Sequence, residues 1–183
     1  MRKALVLASG ALLAALVLGS GFVHPASAQT NHLMVPQSIR FEHNAIIERL
    51  TMETAKPGGG AAVAERLLVL VKAHFAKEEE FVFPPLGLLD QIEAGEMPSE
   101  AIGKAVIEMA ARTRAAKGDL EQEHQQIFSM ANELVQLATR ASEPELRAFA
   151  TDLAFHSLHE VEILQPTTLL ISEYLQAETL PSH

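Results

Sequence analysis

A histidine followed four residues later by a glutamate, and ten residues later by a proline, occurs twice in this chain: His74, Glu78 and Pro84, then His156, Glu160 and Pro166. Residues four apart lie on one face of a helix. Both pairs fall inside apolar stripes of helical period. Leu67, Val71, His74, Glu78 and Phe81 share one face, and Phe149, Leu153, His156, Glu160 and Ile163 share another. Two further stripes carry one histidine each: Ile39, His43, Ile46, Ile47 and Leu50, then Leu120, His124, Ile127, Phe128, Ala131 and Val135. Packing these stripes together brings four histidines and two glutamates into the interior.

The spacings relate two halves of the chain. His43 to His74 is 31 residues and His124 to His156 is 32. Phe41-Glu42-His43 parallels Gln122-Glu123-His124. A helix pair used twice about an approximate two-fold axis would set the six polar groups at one level. The expected main helices span 38–56, 61–83, 115–140 and a stretch from Ser142-Glu143-Pro144-Glu145 to about Leu164, where Pro166 disturbs it. Ser38, Ser99 and Ser142 are the expected caps. Short helices are expected over 86–94 and 167–176, and a segment from Glu100 should be interrupted near Gly118. This order predicts an all-α fold, an up-down-up-down four-helix bundle with short extra helices.

Residues 1–28 read as a signal peptide: basic Arg2-Lys3, an apolar run, then Ala26-Ser27-Ala28. The expected domain is 29–183, exported, periplasmic in a Gram-negative bacterium and otherwise secreted. Removing Arg2 and Lys3 takes the net charge from −9 to −11. That acidity argues against nucleic acid or an anionic membrane surface as a partner. With no cysteine, disulfides, thiolate metal sites and iron–sulfur clusters are excluded. His24, His32 and His183 lie in the leader or the chain ends and are expected to be idle.

Unpaired buried polar groups cost about 1–3 kcal/mol each, and a buried carboxylate costs more. Against a total stability of about 5–15 kcal/mol, six such groups need compensation. A pair of cations supplies it, with His43, His74, His124 and His156 giving nitrogen lone pairs and Glu78 and Glu160 giving oxygens. A buried His–Glu hydrogen-bond network is the alternative. Two histidines and two carboxylates per ion suit iron, manganese or zinc.

The histidine on the first helix, His-x-x-x-Glu on the second, and histidines on the third and fourth resemble the hemerythrin-like, or HHE cation-binding, family from His43 to Pro166. The resemblance implies a four-helix bundle with two iron ions in an Fe–O–Fe type centre. It implies that His43 and His74 hold one ion, His124 and His156 the other, and Glu78 and Glu160 bridge. The chain departs from the oxygen carriers at Phe128, where they have a further histidine, and at Glu160, where they have an aspartate one residue later. The symmetric HHE variant fits better. His159 is an additional candidate ligand, or a proton donor. Glu42 and Glu123 are expected to face outward.

The expected function is reversible binding or sensing of O2 or NO. The alternatives are a di-iron oxidase or peroxidase, an NO-scavenging enzyme, and an iron-storage or metal-handling protein. A purely structural bundle is the fourth reading. The expected partners are a small diatomic ligand or peroxide, with no membrane contact after cleavage; the oligomeric state is left open by the sequence.

Overall fold

The computed structural model describes residues 33–179. The expected leader, and with it His24, His32 and His183, lies outside them. The described residues are helical without a strand: α1 (Gln37–Thr54), α2 (Gly59–Lys77), α3 (Leu89–Glu93), α4 (Glu100–Ala115), α5 (Lys117–Ala141), α6 (Pro144–His159) and α7 (Gln165–Thr179). None of these helices is long and apolar enough to cross a membrane.

The helix ends differ from expectation in instructive ways. Pro36, not Ser38, precedes the first turn of α1. Ser142 does not cap α6; it closes α5 in the left-handed conformation at φ 58°. Ser99 does cap α4, accepting from the Ile102 N–H. The break between α4 and α5 falls at Ala116, two residues before Gly118.

Two five-residue π-helical turns are the largest departure. One runs Glu78–Val82 and the other Glu160–Leu164. In each, the glutamate carbonyl accepts from the N–H five residues on, Phe83 in the first and Gln165 in the second. A proline follows each donor immediately, at Pro84 and Pro166. Proline has no N–H and its ring crowds the carbonyl four residues back, so the α register cannot simply continue. A π turn absorbs the mismatch, and such turns favour functional positions. The outcomes diverge beyond them. Pro84 opens a 3-10 turn, Pro84–Leu88, whereas the chain passes Pro166 without interruption into α7. Pro166 therefore does not end its helix.

The wide turn also rephases the fourth stripe. Counting 3.6 residues per turn past Glu160 puts Ile163 inside, yet Ile163 is exposed and Leu164 packs against the core. Phe128, expected in the core, is likewise exposed at the rim, one residue past buried Ile127.

Two apolar cores result. Ile46 and Leu50 of α1, Leu67 and Val71 of α2, Ile127 and Leu134 of α5, and Leu153 of α6 form one. Val35, Ile39, Phe81 to Phe83, Val106 of α4, Leu120 and Ile171 of α7 form the other. Along α1 and α5, and along α2 and α6 with the π turns that continue them, the histidine stands between a residue of the first core and one packed on the second. The polar side chains thus occupy a layer between two dry clusters, the place where uncompensated polarity is most costly.

Candidate metal centre

All six predicted residues are buried, with Glu78 at 0% and Glu160 at 1% exposure. The structure brings them together, and it sorts them differently from the expected pairing. His74, His124, Glu78 and Glu160 offer donor atoms within 4.8 Å of one another, as do His43, His156 and Glu160. Helix neighbours in sequence are therefore not position-mates: α2 pairs with α5, and α1 with α6. Glu160 Oε1 lies 3.1 Å from both His43 Nε2 and His156 Nε2, while its Oε2 lies 3.4 Å from His124 Nε2. Glu78 spans in the same sense, Oε1 at 3.2 Å from His74 Nε2 and Oε2 at 3.8 Å from His43 Nε2.

Each histidine has its other nitrogen engaged. His43 Nδ1 is 2.9 Å from Glu79, His74 Nδ1 is 2.9 Å from Glu123, and His156 Nδ1 is 3.3 Å from Glu42. His124 Nδ1 donates to the Leu120 carbonyl at 2.8 Å. Outer acceptors of this kind hold the Nδ1–H tautomer and turn the Nε2 lone pair inward. Glu42 and Glu123, expected to face outward, each reach across to a histidine of the other helix pair. The signal for them lay in the repeat, since each precedes a ligand-bearing histidine. His159 is exposed and belongs to neither donor group.

The fit to a cation follows from two observations. A carbonyl only accepts, so His124 Nδ1 carries the proton and its Nε2 is a lone pair. Glu123 holds His74 the same way, and Lys77 beside Glu123 keeps that carboxylate charged. The two Nε2 atoms nevertheless face each other at 3.2 Å. Two lone pairs at that distance repel unless a positive charge is shared between them, a proton on His74 in the metal-free chain or a cation in its place. In addition, both Glu78 oxygens and His156 Nε2 are buried without an aligned hydrogen bond. His156 Nε2 lies 3.1 Å from Glu160 Oε1 without an aligned hydrogen bond, and that oxygen is already bonded to His43 Nε2. A cation coordinated from these directions meets both needs, and imidazole with carboxylate is a donor set for iron, manganese or zinc.

Electrostatics agree. Burial lowers the His74 pKa, but contact with Glu78, then Glu123 and Glu160, raises it overall from 6.5 to about 9. Burial, then the charge of Glu160, pushes the Glu78 carboxyl up, with His74 and His124 opposing. Glu160 is pushed up by burial too, but His124, His156 and His43 outweigh that and hold it well below 4.5. Burial raises the Glu123 carboxyl, yet Lys77 and His74 lower it overall.

In the metal-free chain the His74 proton stabilises the fold. Because the folded pKa is raised, that contribution is full below 6.5 and is lost as pH rises through about 9. The same proton competes with a cation. Metal affinity should therefore climb between those two pH values, with proton release visible by calorimetry in buffers of different ionisation enthalpy. An affinity flat across that window would contradict the assignment of His74.

The outer carboxylates give a second prediction. Glu123→Gln should weaken metal binding by about 10–100-fold, as losing such a partner does elsewhere. Glu42→Ala should do less, because Glu42 is 56% exposed and its contact is longer. Competition titration against a chelating dye checks both, and an equal or reversed order would contradict the geometry.

No curated protein and no solved structure gives a significant match to this sequence. The family described as the Hemerythrin HHE cation binding domain matches residues 35–168, a span that takes in all six inward-facing candidate residues and both π turns. The chain belongs to the hemerythrin HHE cation-binding family.

Proposed function

We propose that this chain is an exported non-haem di-iron protein, an up-down-up-down four-helix bundle whose dinuclear centre binds or senses O2 or NO. The observation that carries the reading is the pair of facing Nε2 atoms of His74 and His124 at 3.2 Å, each ring held at Nδ1 by an acceptor and able to offer its Nε2 lone pair once the His74 proton leaves. His74, His124, Glu78 and Glu160 would hold one ion, and His43, His156 and Glu160 the other. Glu160, with one oxygen toward each group, is placed to bridge, and Glu78 is oriented likewise. When bound, iron supplies open coordination positions and a reversible change of oxidation state. The chain's own residues orient the donors, neutralise the ions and exclude water through the two apolar cores. Glu79, Glu123, Glu42 and the Leu120 carbonyl fix the rings so that no reorganisation is needed on binding.

A binding role accords with where His159 stands. His159, the residue an oxidase or peroxidase reading would use, is exposed and outside both donor groups. Export rests on the leader at residues 1–28 and is tested by fractionating cells that express the full chain. The function is tested by the visible spectrum of iron-loaded protein through cycles of reduction and exposure to O2 or NO. Reversible changes support a binding protein. Steady consumption of hydrogen peroxide would assign it to the enzymes, and exchangeable metal without any gas response would assign it to metal handling.

A further inference from the structure

The approximate two-fold relation makes each half a control for the other, and it fails at two places beside the centre. Next to His74 stands Phe75; next to His156, at the equivalent position, stands Ser157. After Glu78 comes Glu79; after Glu160 comes Val161. On the first side the Phe75 ring stacks on His43 with centroids 3.8 Å apart and planes 4° apart, and Glu79 closes on His43 Nδ1. That flank is sealed. On the second side no phenylalanine covers His124. Ser157 instead donates to the His124 carbonyl at 3.4 Å, and a cleft of about 420 Å³ opens there. Its walls include Phe128, Leu158 and Val161, and His124 and Ser157 line it with them.

We infer that small molecules reach the centre from one side only, through this cleft between α5 and the α6 end, with Phe128 at its mouth and Ser157 and Val161 in place of the plug that closes the other side. The occupant is the small neutral ligand of the proposed function, O2 or NO. The walls are largely apolar, Glu121 lines the cleft, and Glu78 and Glu160 lie behind His124, so this route disfavours anions. The inference deepens the proposed gas-binding function and rests on it for the identity of the ligand.

Two measurements test it, and they separate it from the function itself. The sequence has no cysteine, so Ser157→Cys introduces a sole thiol. In the metal-free chain, methyl methanethiosulfonate should modify that thiol far faster than global unfolding allows, and adding Phe128→Trp should slow modification about 10-fold (about 1.4 kcal/mol of barrier). A thiol as protected as a core residue, or a rate indifferent to Phe128→Trp, would overturn the route. In the iron-loaded protein, Phe128→Trp alone should slow NO binding by a similar factor, with metal content unchanged. Unchanged NO binding would also overturn it. If the chain retains no metal, the function fails on elemental analysis, while the thiol measurement still decides whether the cleft leads to the His124 side of the cluster.

Discussion

Replacing Glu160 with glutamine should empty both positions of the proposed centre, whereas His43→Ala should empty one. Glu160 is the residue common to both donor groups. Its Oε1 serves His43 and His156 and its Oε2 faces His124, so a carboxamide would present a donor where one position needs an acceptor. The substitution also removes a negative charge at a buried site, where charge counts most. The expected loss of affinity exceeds the 10–100-fold or so typical of losing an outer hydrogen-bond partner. His43, by contrast, belongs to the smaller group alone. Its removal leaves His74, His124, Glu78 and Glu160 in place, and the chain should retain about half of its metal. Because Glu160→Gln conserves shape, circular dichroism should remain helical. A variant that keeps full metal, or a His43→Ala chain that loses all of it, would contradict the sorting of the donors.

Removing the metal should lower thermal stability markedly. Without a cation, the fold must keep two carboxylates at 0% and 1% exposure with only protons on the histidines to offset them. Each position filled at a free concentration about 1,000 times its Kd contributes about 4 kcal/mol. For a chain of this size that corresponds to about 8–16 °C in Tm. The midpoint of the loaded protein should fall by at least that much in excess chelator and recover on adding metal. Identical midpoints would mean that protons and the His–Glu contacts alone satisfy the layer.

Much of this arrangement was legible in the sequence, because a helix places residues four apart on one face and makes no exception for polar ones. The His-x-x-x-Glu pairs, the stripes around them and the repeat that relates the halves are all consequences of that rule. The pairing of histidines was not legible. A repeat says that His43 corresponds to His124, but adjacency depends on how four helices pack, and there His74 meets His124 and His43 meets His156. The outer shell was hidden for the same reason: Glu123 lies next to His124 in sequence and against His74 in space. The π turns escaped because periodicity assumes a constant register. Pro84 and Pro166, each six residues after a glutamate, were the trace of them. Exposure of Phe128 follows from a small angular difference that a stripe count cannot resolve, and that of Ile163 from the register change at the second π turn.

The central claim is that six side chains hold a pair of cations in one buried layer. Elemental analysis of chain loaded anaerobically with Fe(II), then desalted, tests it most directly. About two ions should be retained per chain, one for each donor group, and close to none in Glu160→Gln. Retention of no metal by the unmodified chain, or the same amount by both, would contradict it.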